Sequence, residues 1–172
     1  MTREFVVVLT REDSLEDAPL FARMVNAAFF LSHDIRRDVI LRVVLESRGV
    51  VISFVGAKLR HIHVDEQSML GVVRKIFRVC STPPSRSVSV HSGVLVEPLS
   101  RVRLSLDRCY FVSVQGPWLS EALEECGDVC FVLAEEAHKY AEGARRVRVT
   151  ASPKPVDTTL VVLNIEIDRL CG

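Results

Sequence analysis

Short β-branched runs recur along this chain with helix-period segments between them, and that alternation limits the fold more than any other feature. Residues 5–9, 39–45, 50–55, 109–114, 129–133 and 146–150 are apolar runs of strand length, too short for independent helices and rich in Val, Ile and Phe. Between them Leu20, Met24, Ala27, Ala28 and Leu31 recur at helical spacing, with Pro19 in a first-turn position. Met69, Leu70, Val73, Ile76 and Phe77 fall on one helix face behind Asp65, a residue type suited to an N-cap. Residues 119–126 fit a short helix and 134–144 read as helical, while Asp157 can cap a last helix carrying Leu160, Leu163, Ile167 and Leu170. Strands alternating with helices imply an α/β sheet with parallel pairs.

The punctuation agrees with this reading. Residues 10–18 form a polar turn, and residues 46–49, ending in Gly49, suit a hairpin between the second and third runs. Ser81-Thr82-Pro83-Pro84-Ser85 breaks the chain, residues 87–96 read as one or two strands around Ser92-Gly93, residues 98–106 fit either helix or strand, and Ser152-Pro153-Lys154-Pro155 is a loop. The breaker is too short to divide domains, so the 172 residues are expected to form a single domain spanning 1–172. No apolar run reaches the roughly 18 residues of a membrane span, and residues 1–9 lack the small-residue cleavage site of a secretory signal. The expectation is a soluble cytoplasmic protein.

Formal net charge is zero, so attraction to nucleic acid would have to come from local patches rather than a whole-molecule field. The cations are mostly arginine, 18 against four lysines; arginine presents a planar fork that fits phosphate and stacks on bases. The five cysteines are an odd number, which in a cytoplasmic chain predicts free, buried thiols. Cys126 and Cys130 could share a helix face, but no second pair completes a tetrahedral set, so no metal is expected.

In open α/β sheets ligands bind beyond the carboxyl ends of strands. Here that points to Val114-Gln115-Gly116, Leu133-Ala134 and Thr150-Ala151-Ser152, with ordinary turn chemistry as the alternative. The densest chemistry lies elsewhere, in Ala28-Phe29-Phe30-Leu31-Ser32-His33-Asp34-Ile35-Arg36-Arg37-Asp38-Val39, which packs two Asp, two Arg and one His between an apolar helix and an apolar strand. Adjacent arginines cannot face one way in a regular element, so one can pair with Asp34 or Asp38 while the other reaches a ligand. A salt-bridged loop closing the helix is the competing reading.

This segment resembles the signature of the archaeal tRNA pseudouridine-N1 methyltransferases, a branch of the SPOUT group. Phe54-Val55-Gly56-Ala57-Lys58-Leu59 and Asp65-Glu66 follow in the family's order, with thinner similarity at Ser92-Gly93-Val94, Tyr110 to Gly116, Phe131 to Leu133 and Ser152-Pro153. The resemblance implies a SPOUT methyltransferase fold: a mainly parallel sheet whose C-terminal part forms a trefoil knot, an exception to the rule against threaded loops. It implies a homodimer that binds S-adenosylmethionine in the knot loops and methylates N1 of pseudouridine 54 in tRNA. By position, the donor site would comprise Val112 and Gly116, then Ala134, then Val149, Thr150, Ala151, Ser152 and Pro153. RNA and the target base would meet His33, Asp34, Arg36, Arg37 and Asp38. The chain departs from the family in having Ala134 where Gly is usual, in Lys154-Pro155-Val156-Asp157 after the third loop, and in its shortness between Pro83 and Arg101.

The catalytic candidates are therefore Asp34, Arg36, Arg37 and Asp38. An aspartate could take the N1 proton beside an arginine that keeps it ionised, or an arginine could stabilise the anionic base while water takes the proton. His33 suits an RNA contact, a helix-end cap or packing. Arg145, Arg146 and Arg148, near the third loop, could contact tRNA phosphates or line a solvated strand edge. A catalytically silent RNA-binding dimer of the same fold is the alternative function. A general nucleotide-binding α/β protein ranks below both, for lack of a glycine-rich phosphate loop.

Overall fold

The computed structural model describes residues 1–11, 18–62 and 66–172. Asp65, proposed as a cap, and most of the turn at 10–18 lie outside the described residues. Eight strands form one sheet: β1 (Arg3–Leu9), β2 (Val39–Leu45), β3 (Val50–Val55), β4 (Val88–His91), β5 (Val94–Pro98), β6 (Tyr110–Val112), β7 (Val129–Leu133) and β8 (Arg145–Val147). Four α-helices accompany them among the described residues: α1 (Ala18–Phe29), α2 (Glu66–Ser81), α3 (Leu119–Ala122) and α4 (Val156–Cys171).

The strand order is β4-β5-β3-β2-β1-β7-β6-β8. β2, β1, β7, β6 and β8 run parallel, whereas β3, β5 and β4 continue the sheet antiparallel. The sheet is thus mixed: the hairpin turns at Gly49 and Gly93 need no crossover helix, so that edge alternates direction. Both glycines sit at positive φ, 62° and 80°, where side chains are disfavoured.

β1 is central and apolar on both faces. Phe5 and Val7 point into the main core with Leu41, Val43, Ile52, Phe54 and Phe131. Helices α1, α2 and α4 cover that face through Phe21, Met24, Val25, Met69, Val73, Ile76, Leu160, Leu163 and Ile167. Val6 and Val8 face the other way, with Val44, Val51, Phe111 and Val132. That second face is covered not by a helix but by an irregular strap, in which Leu99, Val102, Leu104 and Leu106 pack inward. This resolves the ambiguous segment 98–106.

Four expectations from sequence fail. Residues 134–144 form no α-helix, only one 3-10 turn at Lys139–Ala141. His138 holds them open: its Nδ1 accepts the Tyr140 N–H at 3.2 Å, and its Nε2 lies 2.6 Å from a Glu46 carboxylate oxygen after β2. The thiols are not all free either. Cys109 bonds Cys130, and Cys126 bonds Cys171, because parallel neighbours β6 and β7 and the end of α4 bring sequence-distant sulfurs together. Only Cys80 remains a buried thiol, and burial pushes it up to about 11 although Arg48 acts in the opposite sense. The short helix expected at 119–126 stops at Ala122; its first turn is closed by Glu121, which accepts the Trp118 N–H at 3.0 Å. Asp157 is not the cap of α4, which Pro155 precedes; it sits in the first turn and pairs with Arg23 at 3.2 Å. No helix among the described residues is long and apolar enough to cross a membrane.

Candidate functional site

A cleft of about 610 Å³ opens where β1, β6, β7 and β8 all end at their carboxyl termini. Its size falls within the usual range for small-molecule sites, roughly 300–1,000 Å³. Val7, Val8 and Leu9 of β1 make one wall, with Thr10 and Arg11 beyond them. The loop after β6 adds Val112, Ser113, Val114 and Gln115; the loop after β7 adds Leu133, Ala134, Glu135 and Glu136. Arg148, Val149, Thr150, Pro153 and Lys154 follow β8, and the first turn of α4 closes the rim with Val156 and Thr159.

These loops are held by their own backbone. Ser113 N–H donates to Val147 O at 2.8 Å, Gly116 N–H to Ser113 O at 3.2 Å, and Gln115 N–H to the Ser113 hydroxyl at 3.1 Å. The Thr150 hydroxyl donates to Ser152 O at 2.9 Å, and the buried Thr159 hydroxyl to Pro155 O at 3.0 Å. Gly116 packs against β8 so closely that a Cβ there would lie 2.7 Å from the backbone of Arg146 and Val147. Chemically the cleft joins an apolar floor to two carboxylates, Glu135 and Glu136, and three cations, Arg11, Arg148 and Lys154. It suits a flat apolar ring attached to a chain bearing hydroxyl groups and charges of both signs.

Of the positions expected to hold a cofactor, Val112, Ala134, Val149, Thr150 and Pro153 line this cleft; Gly116, Ala151 and Ser152 do not. Gly116 and Ser152 instead shape the loops that do. Residues at the end of β1 and the pair Glu135-Glu136 were missed, although Leu9-Thr10-Arg11 also follows an apolar strand and the same strand-end rule would have found it. Arg148, assigned to RNA, is part of the cleft wall. Arg145 and Arg146 lie farther back along β8, over the rings of Tyr110 and Phe111, and Arg146 also approaches Glu136 at 3.6 Å.

None of His33, Asp34, Arg36, Arg37 or Asp38 lines the cleft. Their bend lies at the amino ends of β1 and β2, where Arg3 pairs with Val39, and Glu4, Phe5 and Val6 separate Arg3 from the cleft-lining Val7, about 13 Å along the strand. Arg36 makes a two-pronged contact with Asp168 of α4, at 3.0 and 2.6 Å. Arg3, nearly buried, bridges Asp38 at 2.9 Å and Asp168 at 2.6 Å. Burial raises the Asp168 carboxyl, but hydrogen bonds from Arg36 and Arg3 outweigh it and hold the group below its ordinary value. Arg37 donates to Leu59 O at 2.7 Å, and a Cβ on Gly56 would meet Arg36 O. The bend and the segment 54–59 are therefore one packed unit. His33 and Asp34 stay exposed; Asp34 accepts its neighbour Ile35 N–H at 2.7 Å and lies 3.9 Å from Arg37.

Comparison with known proteins gives a consistent outcome. A family profile described as "Putative SAM-dependent RNA methyltransferase" matches residues 17–166. A tRNA (pseudouridine(54)-N(1))-methyltransferase of Methanocella arvoryzae is 31% identical, over 97% of this chain and 99% of the relative. One from Thermococcus kodakarensis is 28% identical, over 95% and 94%. Among solved structures, that of Archaeoglobus fulgidus Nep1 bound to S-adenosylhomocysteine superposes with a TM-score of 0.57 at 14% identity, covering 99% of both chains; at that identity the likeness speaks for the fold.

Proposed function

This chain belongs to the SAM-dependent RNA methyltransferase family, and from that premise we propose that it methylates N1 of pseudouridine 54 in tRNA. The observation that carries the reading is the cleft at the ends of β1, β6, β7 and β8, lined by five of the eight positions expected for the methyl donor. Its lining fits S-adenosylmethionine. The apolar floor suits adenine, Glu135 and Glu136 suit ribose hydroxyls and the donor's positive charges, and Arg11, Arg148 and Lys154 suit its carboxylate. When bound, the donor supplies an electrophilic methyl group.

The protein's own part is positioning and proton removal. The base must leave its stack to enter a pocket, and holding it in line can supply about 7–11 kcal/mol. The N1 proton must go to a base as the new N–C bond forms. Asp38 is committed to Arg3, which leaves Asp34 as the accessible carboxylate of the bend, with Arg37 beside it. Asp38 and Arg36 act as positioning residues that fasten the bend to α4. His33, Arg145 and Arg146 contact RNA.

The bend of one copy lies too far from its own cleft to touch a base there, so the site is complete only in a homodimer, where the bend of a second copy faces the cleft. The exposed Val161 and Ile165 on α4 and Leu31 beside the bend supply apolar surface for such a contact. We take residues 1–172 as a single methyltransferase domain, since one sheet runs through both halves. Its carboxyl half is threaded as a trefoil knot, and it works in the cytoplasm.

The test is nucleoside mass spectrometry of pseudouridine-containing tRNA incubated with the protein and labelled donor. The expected product is labelled N1-methylpseudouridine at position 54. No label in RNA, together with S-adenosylhomocysteine binding, would leave a donor-binding protein with another acceptor. Absence of both would refute the reading.

A further inference from the structure

Beside the cleft lies a second, smaller cavity of about 210 Å³, lined by Trp118, Leu119, Ser120, Glu166 and Arg169 and sharing Arg148 and Val149 with the cleft as a common wall. Sequence and topology bring its parts together. Trp118 follows the loop after β6 and pairs alongside Arg148 at the end of β8, with Arg148 N–H donating to Pro117 O at 2.8 Å. The Arg148 guanidinium stacks on the Trp118 ring, 4.4 Å from its centroid, which holds its plane fixed. Its Nε is buried and has no hydrogen-bond partner among the described residues. Arginine carries five N–H donors, which leaves the rest of the fork to serve a ligand. Across the cavity Arg169 is largely exposed and bound to Glu166 at 2.6 Å, so the cavity holds two cations against one anion.

We infer that this cavity seats a phosphodiester of the RNA next to the target nucleotide, with Arg148 as the shared contact between the RNA backbone and the methyl-donor cleft. The inference rests on the methyl-transfer reading above and deepens it. A phosphate matches the planar, two-pronged donor geometry of a fixed guanidinium. Because the same side chain lines both cavities, a phosphate held there lies within one nucleotide of the cleft. The Ser120 hydroxyl and Arg169 complete the set of donors, and Glu166 orients Arg169.

Two variants probe the small cavity: Arg169→Ala, one turn along α4 from Ile165, and Ser120→Glu, which places a negative charge where the phosphate would sit; both are compared with wild type at equal dimer content, read by sedimentation. The expected result is a KM for tRNA raised tenfold or more in both, with the Kd for S-adenosylhomocysteine within twofold of wild type. The salt dependence of tRNA binding by Arg169→Ala should lose a slope of about one. A tRNA KM within twofold of wild type in both variants would overturn the inference. So would a loss of S-adenosylhomocysteine affinity as large as the loss for tRNA, since the cavity would then belong to the donor. Failure of the reading itself shows separately, as wild-type protein that binds no S-adenosylhomocysteine; filter binding of tRNA to the same variants still reports on the cavity.

Discussion

The bridge between Cys126 and Cys171 joins the loop before β7 to the last turn of α4, across 45 residues. Replacing both cysteines with serine leaves the folded contacts nearly intact and frees the unfolded chain. In the chain-entropy account a cross-link of that span removes about 13 cal/mol/K from the unfolded state, about 4 kcal/mol at 25 °C. For a chain of this size each kcal/mol moves Tm by about 2–4 °C, so the double variant should melt about 8–16 °C lower. Urea unfolding without reductant would measure the loss as a lower midpoint, with a steeper slope because the uncrosslinked unfolded chain exposes more surface. The bridge Cys109–Cys130 spans 21 residues and should contribute less, about 3 kcal/mol by the same account. A loss below about 1 kcal/mol for the Cys126–Cys171 pair, or a reversed ranking of the two bridges, would refute this reasoning. Affinity for S-adenosylhomocysteine should survive, because the cleft is walled by the opposite end of α4, at Val156 and Thr159.

Four further outcomes follow from the site. Asp34→Asn should lower kcat by about 10²-fold or more, as loss of a general base does, without changing donor affinity; activity within twofold of wild type would remove Asp34 from the mechanism. Asp168 is held below its ordinary carboxylate value of about 3.9, so its contribution to stability is full above that pH and is lost as pH falls through its folded value. The stability gap between wild type and Asp168→Asn should therefore be constant near neutrality and close in acid, as urea midpoints across pH would record. Cys80, buried and raised to about 11, should resist a thiol reagent at pH 8 in the folded protein and react once per chain on unfolding. Gly116→Ala should cost about 1–3 kcal/mol, the usual range for overpacking, because the new methyl meets backbone on β8; it should also weaken donor binding by shifting the loop that carries Ser113 and Gln115.

Much of the scaffold was legible because its signal is local. The runs at 39–45, 50–55 and 129–133 are the strands β2, β3 and β7, and the faces of α1, α2 and α4 were readable from apolar spacing. Residues 134–144 were misread because their helix-like composition is overridden by one long-range contact, His138 to Glu46, 92 positions apart. The disulfides were missed for a similar reason: an odd count says nothing about which sulfurs a parallel sheet brings together. The charged bend was recognised as unusual, but its geometry was not legible. Arg36 finds its carboxylate at Asp168, 132 positions away, rather than at Asp34 or Asp38. The cleft was partly visible, since strand-end turns can be read from sequence, yet the contribution of β1 and the placing of Arg148 on a shared wall depend on strand order.

That strand order also bears on how the chain is made. β1 is made before the other strands of this sheet, yet it pairs on one side with β7 at residues 129–133, and its Arg3 finds a counter-ion at Asp168. One edge of an apolar strand must wait for its neighbour until residues 129–133 have been made. Vectorial synthesis thus leaves the nascent amino half open to edge pairing with other chains, a period in which chaperone protection matters more than final stability.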